Sequence, residues 1–127
     1  MLNYRLISLL SSSISFALFM CLLFLPEPIF WLFQIEGSES AYFISRRASI
    51  LFLGYAVISY FSRFAENSEI RQAIILGYMF LWLGLAVLGL FEFLRAYVGV
   101  GIFLAIIAET FLFISYLSIW LSSKKNK

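Results

Sequence analysis

The 127-residue sequence contains no histidine and no aspartate, and Cys21 is its single cysteine. Ordinary zinc and haem sites need several histidine or cysteine ligands, and the common Ser-His and Cys-His nucleophiles need a histidine base. A lone cysteine also cannot form an internal disulfide. These absences argue against an enzyme of the usual types, and we expect no cofactor.

Charged residues are scarce as well. They make up 13% of the chain, against about a quarter in an average soluble domain, while 63% of the residues are hydrophobic. A soluble domain of this length could not bury so much apolar surface. The composition therefore excludes a soluble enzyme, a disordered tail and a nucleic-acid-binding protein. It indicates an integral membrane protein whose partners include membrane lipids.

Long apolar runs dominate the sequence. A helix that crosses a bilayer needs roughly 20 mostly apolar residues. Four stretches meet this requirement, and no long polar segment separates them. The sequence predicts an all-α, single-domain membrane protein (residues 1–127) that forms a four-helix bundle. Its spanning helices are predicted at about 6–25, 43–64, 70–96 and 98–121.

Basic residues divide unequally between the two sides of such a bundle. Four spans place both termini on one side, and positively charged segments favour the cytoplasm. We therefore predict a multi-pass protein of the bacterial inner membrane with both termini in the cytoplasm. The six basic residues on that side are Arg5, Arg63, Arg71, Lys124, Lys125 and Lys127, and the three on the other side are Arg46, Arg47 and Arg95.

Two connections have a distinctive composition. After the first span, Pro28 suits the first turn of a short helix, and the apolar stretch 28–35 is predicted to lie in the membrane interface. This helix would act either as a surface anchor or as a lid over the bundle mouth. Between the third and fourth spans, Gly99 and Gly101 are predicted to break the helix in a tight hairpin.

Small residues mark the faces on which the helices are expected to pack. Membrane helices associate where small side chains let their backbones approach. Such stripes predict a compact bundle, and a homodimer or larger membrane complex if one stripe is left over. They comprise Ser8, Ser11, Ser12 and Ser15 in the first span, Gly77 and Gly84 in the third, and Gly101, Ala105 and Ala108 in the fourth.

Glu109 is the carboxyl group that the apolar pattern places deepest in the membrane. At about 1.5 Å per residue it should lie near the bilayer midplane, on one stripe with Ala105 and facing a neighbouring helix. Ionisable groups at such a depth are costly and are candidates for function. Glu109 is therefore predicted to serve a proton relay, to bind a cationic substrate, or to form a structural hydrogen bond.

Arg47, Glu92 and Arg95 are predicted to lie at similar depth near the outer side. Arg47 shares a stripe with Gly54 and should point inward, whereas Arg46 should reach the lipid headgroups. An Arg47–Glu92 pair would be a structural clamp, or the three residues would hold an anionic headgroup or the polar tip of a ligand. Glu92 and Arg95 are also spaced to pair along one helix.

One stretch resembles a known family. The segments Leu25-Pro26-Glu27-Pro28, Ser45-Arg46-Arg47-Ala48 and Leu51-Phe52-Leu53-Gly54 are similar to the layout of DoxX-like four-helix bacterial membrane proteins. The resemblance covers the first half of the chain and places Arg47 and Gly54 at that family's marked positions. It implies a part in membrane redox complexes and carries no catalytic residue across. Small multidrug-resistance transporters have a similar size, but their membrane carboxyl lies in the first helix.

Three functional hypotheses follow. The leading one is a non-enzymatic accessory or scaffold subunit, or a lipid-binding module. The first alternative is a dimeric proton-coupled transporter of small molecules that uses Glu109. The second alternative is a quinone-linked redox component with Arg47, Glu92 and Arg95 around its ligand.

Overall fold

The computed structural model describes residues 3–125, which contain five helices and no strand. The four longest helices have 21 to 26 residues and are apolar enough to cross a membrane. The predicted all-α, four-span architecture is confirmed, and the protein is a multi-pass membrane protein. The helices are α1 (Tyr4–Phe24), α2 (Glu27–Phe33), α3 (Glu39–Phe61), α4 (Glu69–Leu94) and α5 (Ile102–Lys125).

Polar side chains set the starts of three spanning helices. The side chains of Asn3, Ser38 and Ser68 accept hydrogen bonds from the first free backbone N–H groups of α1, α3 and α4. The Ser38 cap starts α3 at Glu39, four residues before the predicted boundary, because a capped polar turn can extend a helix beyond the apolar run. The first turns of these helices therefore extend beyond the apolar stretches into the membrane interface.

The bundle consists of two antiparallel pairs, α1 with α3 and α4 with α5, which meet where α1 lies beside α5. Serine hydroxyls hold the first pair together. The Ser12 hydroxyl donates to the carbonyl oxygen of Ala56 at 2.8 Å, and the Ser45 hydroxyl donates to that of Leu22 at 2.8 Å. Short hydroxyl side chains allow this close approach and confirm the predicted packing face of the first span.

The two ends of the bundle differ. At the end that carries both termini, here the termini end, Arg71 donates to the Ser123 hydroxyl at 3.3 Å, and the hydroxyls of Tyr4 and Ser62 are 3.1 Å apart. The opposite end, here the lid end, contains α2 and the connection 95–101. Large buried side chains fill the half nearer the termini, so the less densely filled half lies toward the lid end.

The glycine stripe predicted in the third span does not pack against another helix of this chain. Gly77 and Gly84 face outward, and a Cβ atom added to either would meet nothing within 4 Å. The opposite side of α4 carries the buried Tyr78 and Trp82, whose large side chains occupy the core. The glycine that does pack is Gly89, where an added Cβ atom would lie 3.2 to 3.5 Å from isoleucine side chains of α5.

The turn between α4 and α5 also differs from the prediction. Ala96, not a glycine, takes the left-handed conformation (φ 64°), and the Tyr97 N–H donates to the carbonyl oxygen of Glu92 at 3.0 Å. This bond closes the helix end in the way that usually uses glycine. Gly99 and Gly101 do not have positive φ values, so a different requirement selects them.

Candidate functional site

A cavity of about 450 Å³ lies within the bundle toward the lid end. All five helices contribute to its wall, and most of the lining side chains are apolar. Representative residues, in chain order, are Leu18, Leu32, Phe52, Leu85 and Ala105. Ligand pockets of proteins commonly enclose about 300–1,000 Å³ and combine an apolar wall with a few polar groups. The cavity is therefore the candidate binding site.

The short helix α2 forms part of the cavity wall at the lid end. Its Leu32 and Phe33 side chains line the cavity, whereas Trp31 on the opposite side is 80% exposed. Phe30 is buried and its ring centroid is 5.4 Å from that of Tyr42 in α3. These contacts favour the lid interpretation of the segment over a simple surface anchor.

Gly101 explains why the lid can sit so close to the bundle. A Cβ atom at Gly101 would overlap the backbone carbonyl oxygen of Leu32 in α2. At Gly99 an added Cβ would overlap the flexible side chain of Gln34, and the Gly99 N–H donates to the carbonyl oxygen of Phe33 at 2.8 Å. Gly101 is thus needed for the close approach of two backbones, and neither glycine is needed for a special backbone conformation.

Glu109 lies on the wall of the cavity beside Ala105, Ala108 and Leu112. It follows the start of α5 at Ile102 by seven residues, which places it about 10 Å from the lid end. Because α5 begins four residues later than expected, Glu109 lies nearer the lid end than the sequence suggested, and its position at the bilayer midplane stays a prediction. Within residues 3–125 the Glu109 carboxyl has no ion-pair or hydrogen-bonding partner. A cationic or hydrogen-bond-donating group in the cavity would supply one.

Glu92 lines the same cavity near the end of α4. One of its carboxyl oxygens is 3.6 Å from Nη1 of Arg95, which confirms the predicted pair along α4. The side chains of Glu92 and Arg95 are 31% and 47% exposed, so solvent screens their attraction. Of the two carboxyl groups in the described cavity wall, Glu92 has a partner and Glu109 has none.

The Glu92–Arg95 pair should contribute little to stability. We expect Glu92→Gln to change the free energy of unfolding by less than about 1 kcal/mol, because exposed ion pairs rarely contribute more. Thermal unfolding in detergent measures the effect, with Glu66→Gln as the control because Glu66 is an exposed loop carboxyl. A large loss confined to Glu92→Gln would show that the pair is a structural clamp.

Arg47 is not part of this site, and the prediction that it points inward is wrong. The face of α3 that enters the core carries Ser45, Ser49, Ala56 and Ser59, whereas Arg47 is exposed on another face. Gly54 shares that outward face and has nothing within 4 Å of an added Cβ atom. The small serine side chains allow the close contact between α3 and α1. An arginine side chain would be too large for that contact.

The predicted cluster of Arg47, Glu92 and Arg95 is consequently not assembled. Among the described residues, Glu92 forms an ion pair with Arg95 and forms none with Arg47. The predicted Arg47–Glu92 clamp is therefore wrong, and the three residues do not surround one ligand. Arg46 is exposed, as the sequence predicted.

The floor of the cavity combines two serines of the predicted stripe with aromatic groups, Trp82 and Tyr116, that the sequence did not single out. Leu112 and Trp82 are fully buried there, and below them the Tyr116 hydroxyl faces the hydroxyls of Ser8, Ser11 and Ser59. In the described structure these hydroxyls and the indole N–H of Trp82 form no hydrogen bond of good geometry. The one signal in the sequence was the serine stripe of the first span, which does not identify its aromatic partners.

Comparison with known proteins finds no matching family model, no matching curated protein and no matching solved structure. The resemblance to DoxX-like proteins stays a prediction. Function is therefore inferred from the cavity and its two carboxyl groups, Glu92 and Glu109.

Proposed function

We propose that the protein is a non-enzymatic membrane protein that binds a lipophilic ligand within its bundle. The ligand carries a positively charged or hydrogen-bond-donating group that pairs with Glu109. The observation that carries this proposal is a carboxyl group without a protein partner in the wall of an otherwise apolar cavity.

An unpaired carboxyl group inside an apolar cavity raises the free energy of the protein. Removing an ionised group from water is expensive unless a partner replaces the lost hydration. Glu109 is half-buried among alanine and leucine side chains, and no cation of the described chain reaches it. A ligand with an apolar body and a cationic group satisfies both parts of the cavity at once.

The surroundings support a membrane role with the termini end in the cytoplasm. Two cations there lie over aromatic rings, Arg63 at 3.8 Å from the Tyr60 centroid and Lys124 at 4.0 Å from that of Trp120. Amphipathic rings and basic residues favour the interface, and the excess of positive charge favours the cytoplasmic side. In a bacterial inner membrane the lid would then face outward.

The proposal is tested by equilibrium binding of tetraphenylphosphonium, a lipophilic cation, to the purified protein in detergent. We expect Glu109→Gln to weaken binding by about tenfold or more, which corresponds to about 1.4 kcal/mol or more of lost interaction. Glu66→Gln is the control, because it removes an equal charge from an exposed loop. Equal affinity of the wild type and Glu109→Gln would contradict the proposal and leave the scaffold role.

A second candidate function is proton-coupled transport through Glu109. The buried hydroxyl cluster favours it, because polar groups continue from the cavity floor toward the termini end. We expect proteoliposomes to accumulate or release tetraphenylphosphonium when a pH gradient is applied, and Glu109→Gln to abolish this flux. Binding without any gradient-driven flux would exclude the transporter and retain the ligand-binding role.

A further inference from the structure

A second concave surface lies on the outside of the bundle, separate from the central cavity. It is a groove of about 590 Å³ between the end of α1, at Leu23, and the first half of α3. Arg46 and Arg47 both line it, and their apolar neighbours include Ile44 and Leu51. Ile44 is 62% exposed and Leu51 is 65% exposed, so the groove opens toward lipid.

The depth of the two arginines is unusual for charged groups. Arg46 follows the first residue of α3, Glu39, by seven positions, or about 10 Å along the helix. The 23 residues of α3 extend over about 34 Å, close to the roughly 30 Å of a hydrocarbon core. Both guanidinium groups therefore start below the headgroups, where a charge needs a partner or must reach outward.

The described chain supplies no such partner. Neither arginine forms an ion pair with a carboxylate of residues 3–125. The nearest carboxyl on the same helix, Glu39, lies about two turns away. Two neighbouring positive charges thus lie on a lipid-facing surface without an anionic partner from the described chain. An anion that pairs with them would come from another molecule.

We propose that this groove binds an anionic phospholipid. Its phosphate lies between Arg46 and Arg47, since guanidinium groups match phosphate oxygens in paired hydrogen bonds. An acyl chain covers Ile44 and Leu51. An anionic headgroup fits better than a zwitterionic one, because the ammonium group of the latter would lie close to two positive charges. This lipid site is independent of the ligand proposed for the central cavity.

Native mass spectrometry with added phosphatidylglycerol or phosphatidylcholine tests the proposal. We expect the wild type to retain phosphatidylglycerol in preference to phosphatidylcholine, and Arg46→Gln/Arg47→Gln to lose about tenfold in phosphatidylglycerol affinity. The control is Arg5→Gln/Arg63→Gln, which removes the same charge at the termini end. Equal retention of phosphatidylglycerol by the two double variants would overturn the site. So would a loss of dimers, instead of lipid, in Arg46→Gln/Arg47→Gln, because a second copy would then supply the anion.

Wild-type protein gives a second test that does not depend on the folding of a variant. A phosphatidylglycerol with a photoreactive acyl chain is incorporated into nanodiscs with the protein and irradiated. We expect crosslinks to concentrate at residues 43–51. Crosslinks spread evenly over other lipid-facing positions, such as Phe80 and Phe111, would show that the groove holds no particular lipid.

Discussion

Gly101→Ala should displace the lid and strongly destabilise the lid end of the bundle. The new methyl group would overlap the backbone carbonyl oxygen of Leu32, which cannot move aside as a flexible side chain can. Overpacking of this kind costs about 1–3 kcal/mol, and here it also strains the Gly99–Phe33 hydrogen bond. We expect a lower melting temperature in detergent and faster amide exchange in α2.

Other glycines of the chain supply graded controls. Gly99→Ala should cost less than Gly101→Ala, because the overlapping atoms belong to the Gln34 side chain, which can rotate. Gly77→Ala and Gly84→Ala should be neutral or stabilising by up to about 1 kcal/mol, since alanine favours helix and the added methyl group would overlap no atom of the chain. If Gly101→Ala and Gly77→Ala had equal stability and equal exchange in α2, the lid would not be packed as described.

Ala108→Phe should block the central cavity. Ala108 lies in the wall beside Glu109, and a phenyl ring there would occupy the space proposed for the ligand. We expect tetraphenylphosphonium binding to weaken by about 100-fold or more, because the steric block removes contacts of the whole ligand body as well as access to Glu109. The fold should persist, because the ring fills empty apolar space instead of displacing packed side chains.

The matched control for this variant is Ala73→Phe, which adds the same ring on the exposed surface of α4. Binding by Ala73→Phe should equal that of the wild type. If Ala108→Phe bound the cation as tightly as Ala73→Phe, the ligand would occupy a different place. Circular dichroism in detergent establishes that both variants remain helical.

The sequence predicted the spanning helices well, because the length of an apolar run is set by membrane thickness. It predicted less well which face of each helix enters the core. In α3 and α4 the residues that face lipid are as apolar as those that face protein, so periodicity does not separate Gly54 or Gly84 from the packed positions. The serine face of α1 was predictable because small side chains spaced along one stripe let membrane helices approach closely.

The candidate site was predictable only in part. Glu109 could be found because a carboxyl group inside an apolar run is rare. Its position along the helix depended on where α5 begins, and α5 begins at Ile102, directly after the segment in which Gly99 and Gly101 pack against the α2 segment. The cavity itself could not be predicted from the sequence. Its volume depends on how the side chains of five helices pack against one another.

The cavity beside Glu109 is the proposed binding site of a lipophilic cation. The most direct measurement is mass-spectrometric mapping of a photoreactive quaternary ammonium probe bound to the protein in membranes. We expect attachment to cavity residues of at least two helices, such as Leu85 in α4 and Ala105 in α5, and loss of that attachment in Glu109→Gln. Attachment confined to lipid-facing residues such as Phe80, unchanged by Glu109→Gln, would contradict it.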